Sequence, residues 1–366
     1  MGVRVQKYGG SSVADLRRLR IVAARVAATR AAGHEVVVVV SAMGNTTNEL
    51  LALAREVSAN PGRRELDMLV SVGERVSMAL LAMALQELGV PARSFTGSQS
   101  GIITDESHAN ARVVEVRPER VRAALDAGEV AIVAGFQGVS RAREVTTLGR
   151  GGSDTTAVVL AAALKAEECE ICSDVDGVYS ADPRVVPGAR RLDTMSLAEA
   201  LAMARAGGQV LAEEAVAWAH AEGVVLRASA TYSTQPGTRV SASPSPTRIS
   251  AVVTDRELLY APLSWLPRVP TACVRAASPV GLVLDRRNLH TDLPDLLPVA
   301  TVSVIGRRVG ADPKILAEVL DVSSRTGEEL RDWWASSDSV TIRVAPLGAS
   351  ELERALHGHF CEGTTA

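Results

Sequence analysis

Aromatic side chains are scarce in this 366-residue chain, which holds only 3 Phe, 4 Trp and 4 Tyr. That scarcity excludes an aromatic-rich β-sandwich. The 47% of apolar residues must pack mainly as Ala, Val and Leu, which suits helices laid on a parallel sheet. A dominant charge is also lacking. With 39 Lys and Arg against 42 Asp and Glu, the formal net charge is −3. No basic run occurs and no aromatics interleave with cations, so nucleic acid is not an expected partner. No apolar run approaches the ~20 residues of a membrane span. The opening MGVRVQK enters a strand pattern without a signal-peptide profile. A cytoplasmic protein with no membrane partner is expected. The four cysteines include a C-x-x-C pair, Cys169 and Cys172, but no second ligand pair, since Cys273 and Cys361 stand alone. On a strand, residues three apart face opposite ways, so the pair reads as structural and no metal site is expected.

The length suits about two domains. Over the first ~240 residues short apolar runs alternate with helical patterns, the signature of an α/β fold. Strands are expected at 3–6, at the five valines of 36–40, at 131–135 and at 169–175, and helices at 13–31 and 66–88. The valine run marks a central parallel strand buried on both faces. Glycine turns at 9–10, 44, 135–138 and 149–152 all follow apolar or extended segments. Ligands gather at the carboxyl ends of such strands, so the turns are expected to form one site. The composition changes at 234–238, and 242–246 (ASPSP) reads as a linker. Beyond it, strands at 302–305 and 340–344 and helices at 313–322 and 351–360 suggest an α+β module, whereas 260–300 is poorly patterned.

Residues 148–156 read LGRGGSDTT and run into an Ala-, Val- and Leu-rich stretch. Glycines around Arg150 let backbone amides and a guanidinium approach a small anion. Ser153 and Asp154 fall where a helix N-cap is expected, beside the positive end of the helix dipole. Alone, the loop reads either as a capped turn or as a site for an acidic group or a phosphate. Lys7 precedes Gly9, Gly10 and Ser11 at the tip of the first strand, placed to neutralise a transferring phosphoryl group. A Walker loop is absent. The segment SAMGNTTN (41–48) offers Ser41 and Thr47 at a strand end. Glu74, in an apolar helical stretch, is either a surface residue or the partner of a ligand ammonium. Phe136 reads as ordinary core. The segment SDVDGVYSADPR (173–184) is either a polar surface turn or a nucleotide contact.

In this order, VQKYGGSSVA (5–14), 38–44, Gly73 with Glu74, GFQG (135–138), TLGRGGSDTTA (147–157) and 173–184 resemble the aspartokinases. The likeness is greatest to the actinobacterial type. It is dense over 1–240, and 300–360 resembles the last ACT module of such enzymes. The resemblance implies an amino-acid kinase fold at 1–245, a mostly parallel sheet flanked by helices, followed by a C-terminal α+β ACT-like regulatory region at 246–366. It implies transfer of the γ-phosphoryl of ATP, with Mg2+, to the side-chain carboxylate of L-aspartate. Lys7 would stabilise the transferring group, Asp154 would order the donors around it, and Gly9, Gly10 and Ser11 would contact phosphates. Ser41, Thr47, Glu74, Arg150, Gly152 and Ser153 would hold the substrate, Arg150 on a carboxylate and Glu74 on the α-ammonium. Ser173, Asp174, Tyr179 and Arg184 would contact the nucleotide. A homo-oligomer assembled through the ACT-like region is also implied.

The chain departs from this family at two places. Where the family has Gly-x-Lys-Val-Leu, this chain has Gly207, Gly208, Gln209, Val210 and Leu211, so the phosphate-facing lysine is Gln209. Glu214 falls where an arginine is expected. Losing one such cation costs about 3 kcal/mol of transition-state stabilisation, unless Arg184 or Arg205 compensates. Kinase action on another acidic amino acid, or a non-catalytic homologue, are the competing expectations. Because the first ACT module is not legible in 260–300, a paralogue free of lysine or threonine feedback also fits.

Overall fold

A computed structural model describes residues 2–270, 273–289, 296–327 and 332–362. The chain divides into two compact units, residues 1–178 with 210–243, and 179–209 with 244–366.

The first unit runs β1 (Val3–Tyr8), α1 (Leu16–Ala31), β2 (Glu35–Val40), α2 (Thr46–Val57), α3 (Arg63–Val70), α4 (Val72–Glu87), β3 (Ala92–Phe95), β4 (Ile102–Thr104), β5 (Val113–Val116), α5 (Glu119–Asp126), β6 (Val130–Ala134), β7 (Gln137–Ser140), β8 (Val145–Thr147), α6 (Gly152–Ala163) and β9 (Glu168–Ser173). A helix, Glu213–Glu222, and two strands, Leu226–Ala230 and Thr238–Ser241, complete it. Its main sheet has the order Thr238–Ser241, Leu226–Ala230, β9, β1, β2, β6, β3. All pairs are parallel except that of the two strands last in sequence. The valine run is buried throughout, as its pattern implied. Val36, Val38 and Val40 pack with Leu19, Val22 and Val26 of α1 and Leu81 and Leu85 of α4. Val37 and Val39 alternate to the opposite face. A small four-stranded sheet, β5-β4-β7-β8, carries the chain into α6.

Local chemistry moves several boundaries. The helix expected from residue 13 begins at Leu16, because the Asp15 carboxylate caps it by accepting the Arg18 N–H at 2.8 Å. Leu16 and Ile21 then face solvent. The segment 41–48 is not only loop, since α2 starts at Thr46 and carries Thr47. The expected helix 66–88 is two helices that meet at Ser71. Together they make Arg63–Glu87, which is long and apolar enough by length and composition to cross a membrane, although half of its most apolar window is buried inside the protein. That burial is what a core helix of an α/β layer requires.

The second unit is built on a six-stranded antiparallel sheet. Its order is Val274–Ser278, Gly281–Asp285, Ile249–Ala261, Leu297–Gly306, Ser339–Val344, Asp332–Ser336. Helices Pro313–Arg325 and Ala349–Phe360 cover it through Val319, Leu352 and Leu356, packed on Val252, Val302 and Ile342. The unpatterned stretch 260–300 thus contains two strands, and Gly281–Asp285 is buried at every position. A strand covered on both faces shows no alternation to read. Residues 290–295 of that stretch lie outside the described residues. The whole is α/β, a mostly parallel sheet flanked by helices with a C-terminal antiparallel α+β region.

Candidate active site

Lys7 lies within β1, in register with Val39 and Ile171 on the neighbouring strands. Its Nζ sits 2.7 Å from Asp154 Oδ1, with the two side chains only 13% and 11% exposed. Asp154 is in the first turn of α6, where its charge opposes the positive end of the helix dipole. The N-cap is Gly151, not Ser153 or Asp154 as expected; Gly151 has φ 75°, a left-handed conformation that L side chains adopt only at a cost. Ser153 and Asp154 therefore enter the first turn, and the Asp154 N–H donates to Gly151 O at 3.0 Å.

The turn after β1 is tied down on several sides. Gly9 N–H donates to Cys172 O and Gly44 N–H to Gly10 O, at 3.4 and 3.1 Å. A Cβ on Gly10 would lie 2.8 Å from Ala42 O, so only glycine brings this backbone so close. Ser11 is exposed. Ser12 is buried, its Oγ 2.5 Å from Thr231 Oγ1, and its carbonyl accepts the Tyr232 hydroxyl at 2.8 Å. Thr231 N–H also donates to Ser173 O at 2.8 Å. Arg25 holds the carbonyls of Ala230 and Thr231 at 2.8 and 2.7 Å while pairing with Glu170 at 2.6 Å. Residues 230–232 were missed by the sequence reading. Their only signal was a polar Thr-Tyr-Ser run directly after a strand.

Glu74, on α4, is 3% exposed, which removes the surface reading. Its Oε1 accepts the Ala42 N–H at 3.0 Å, and its Oε2 is buried without a partner. Burial pushes this carboxyl up to about 7. Ser41 is half-buried at the end of β2, its N–H on Tyr8 O at 3.1 Å. Thr47 is half-buried on α2, and Arg150 is exposed at the tip of its loop. Ser153 is buried against Gly135, where an added Cβ would meet its Oγ at 2.7 Å. Gly152 packs on Phe136, which is no ordinary core residue, since its φ is 67°. Direct contacts thus join the turns at 9–10 and 44 through Ala42 to Glu74, and the turn at 135–138 to the start of α6. Ser173 ends β9 and Asp174 beyond it is exposed.

Tyr179, Arg184 and Gln209 belong to the second unit. Tyr179 forms an antiparallel bridge with Arg191. Arg184 is 87% exposed and closes on Asp182 at 2.8 Å, so its guanidinium is already engaged. Gln209 is exposed. Glu214, in the first unit, is half-buried, and that burial raises its carboxyl while Arg112 opposes the shift. Cys169 and Cys172 are buried free thiols on β9, as a structural role requires. Burial pushes Cys172 up to about 12. Among the described residues no three His, Cys, Asp or Glu side chains gather to hold a metal.

The amino acid kinase family model matches residues 2–227. The chain belongs to the amino acid kinase family. Within it, the chain is similar to several aspartokinases. One, from Mycolicibacterium smegmatis, is 57% identical over 244 residues, covering 66% of this chain and 58% of that protein. Another, from Thermus thermophilus, is 38% identical over 98% of this chain and 99% of its own length. Among solved structures, E. coli aspartokinase III in complex with aspartate and ADP superposes with a TM-score of 0.83 at 25% identity, covering 97% of this chain and 99% of that one. The chain spans 58% of the length of the Mycolicibacterium relative it matches.

Proposed function

We propose that this protein is an aspartate kinase, transferring the γ-phosphoryl of ATP to the side-chain carboxylate of L-aspartate to give 4-phospho-L-aspartate and ADP. A carboxylate oxygen forms the new bond to phosphorus as the bond to the ADP leaving oxygen breaks. A carboxylate is already nucleophilic at neutral pH, so positioning and charge neutralisation carry the catalysis. The observation that bears the reading is Glu74, a buried carboxylate with one oxygen unpartnered, as a group that receives a ligand ammonium must be. Arg150 and Ser153, with Ser41, Thr47 and the Gly152 backbone, take the substrate carboxylates. Lys7, ordered by Asp154, neutralises the transferring group. Gly9, Gly10 and Ser11 take the phosphates, and the Gly10 backbone, too close to Ala42 for any Cβ, fits such a cradle. Mg2+ arriving with ATP would add charge neutralisation at the phosphates to that of Lys7. Ser173 and Asp174 serve the nucleotide, and the resemblance adds Tyr179 and Arg184.

This reading assigns catalysis to 1–245 and regulation to an ACT-like 246–366, in a cytoplasmic homo-oligomer assembled through that region. Trapping acyl phosphate with hydroxylamine, in ATP and Mg2+ with a panel of acidic amino acids, tests it. Product with aspartate, abolished by Lys7→Ala, is expected. Product only with another amino acid moves the substrate, and no product with any supports a non-catalytic homologue, the reading favoured by Gln209 and Glu214.

A further inference from the structure

We infer that Asp67 is the positioning residue of the carboxylate-binding loop, holding Arg150 in place through two segments it pins together. The inference rests on the proposed substrate role of Arg150. Asp67 lies on α3 and is fully buried, yet none of its hydrogen-bond partners is Lys or Arg. Its Oδ1 accepts the Thr147 hydroxyl at 2.5 Å and the Ala109 N–H at 3.0 Å. Its Oδ2 accepts the same N–H at 3.1 Å and faces His108 Nδ1 at 2.7 Å. One carboxylate therefore grips the 108–109 segment and the residue three positions before Arg150.

The two segments it grips also touch each other. Ala111 N–H donates to Thr147 O at 2.8 Å. A Cβ on Gly149 would lie 2.4 Å from Asn110 Oδ1, so Asn110 forms the floor under the glycine next to Arg150. Ala109 has φ 67°, a strained conformation for a residue with a side chain, and such strain persists only where the surroundings over-determine it. Both oxygens of Asp67 on the Ala109 N–H supply that constraint. A buried carboxylate is costly to desolvate, and neutral packing would fill the space at less cost. What the carboxylate adds is geometry: acceptor capacity for three donors from two segments at once. Asparagine keeps a single acceptor oxygen, and a backbone N–H cannot reverse its role.

Kinetics of the full chain with Asp67→Asn, Thr147→Val, Thr147→Ser and His108→Gln test this, together with hydrogen exchange of the same proteins. Asp67→Asn, Thr147→Val and His108→Gln should each raise KM for aspartate, the first two about tenfold or more, leaving kcat and KM for ATP within about threefold. Thr147→Ser should restore the wild-type value. Exchange should quicken in peptides covering 105–111 and 147–152 while α1 and β2 stay protected. If Asp67→Asn does not fold, Thr147→Val and His108→Gln carry the test. An unchanged KM for aspartate in folded variants overturns the inference, as does faster exchange spread through the whole unit. Should the wild type turn over no aspartate, the proposed function fails by itself, and the exchange pattern still decides whether Asp67 orders the loop.

Discussion

At Glu74 the burial that suits the proposed ammonium contact also makes the ligand-free protein sensitive to pH. The carboxyl is raised from its usual 4.5 to about 7, first by desolvation, with the Ala42 N–H opposing. A raised folded-state pKa means that the folded protein holds the proton more tightly than the unfolded chain does. That contribution to stability is fully present below about 4.5 and is lost as pH rises to about 7, a change of roughly 3 kcal/mol. Denaturant titrations of the ligand-free protein should show stability falling across that window, and Glu74→Gln should remove this component of the fall. On the proposed role substrate reverses the preference, because an ammonium beside Oε2 would favour the ionised form. KM for aspartate should therefore climb as pH drops below about 7, up to about tenfold per unit. In Glu74→Gln it should be high and nearly flat. A wild-type KM independent of pH between 5.5 and 7.5 would remove Glu74 from the substrate site.

Among the elements, the strand end at 230–232 governs the turn after β1. Thr231 reaches Ser12 by its hydroxyl and Ser173 by its N–H, so it links the proposed phosphate turn to the proposed nucleotide strand. Thr231→Val keeps the shape and the N–H but leaves the buried Ser12 hydroxyl without that partner, a loss of about 1 kcal/mol. KM for ATP should rise about fivefold to tenfold while KM for aspartate stays put. Equal rises in both would make the contact one of general stability. This linkage was invisible in the sequence, because Ser12 and Thr231 stand 219 positions apart and no periodicity connects them. The valine strand and the run into α6 were legible, since burial on both faces writes itself as an unbroken apolar run. Glu74 was only half legible: a lone carboxylate in an apolar helix looks the same whether it faces water or a ligand. The N-cap of α6 was misplaced by two or three residues because Ser153 and Asp154 are strong capping types. The left-handed turn at Gly151 took the position instead. In 260–300 a fully buried strand lay hidden because its apolar run is only Leu282–Leu284, between Gly281 and Asp285, with no flanking helix pattern to reveal it.

For the molecule as a whole, the proposed function makes the supply of cations to the phosphates the expected limit on rate. Two of the cations assigned to phosphate or nucleotide are already matched by carboxylates, Lys7 by Asp154 and Arg184 by Asp182, at 2.7 and 2.8 Å. The position where the resemblance expects another holds the neutral Gln209. Arg184 therefore cannot replace the missing lysine without giving up its bidentate grip on Asp182. In a phosphoryl transfer that depends on electrostatic stabilisation, one well-placed cation is worth about 10²-fold to 10³-fold in kcat. Gln209→Lys should raise kcat by at least about tenfold, read by hydroxylamine trapping at saturating aspartate and ATP, with KM for aspartate unchanged because the proposed Glu74 and Arg150 contacts are untouched. Asp182→Asn, which frees Arg184, should recover part of the same gain in the wild-type background and add little in the Gln209→Lys background. Two independent full gains would mean that the cations act at separate steps. No gain from either would mean that charge at the phosphates is not what limits turnover, and substrate positioning by the Arg150 loop would take its place as the rate-determining demand.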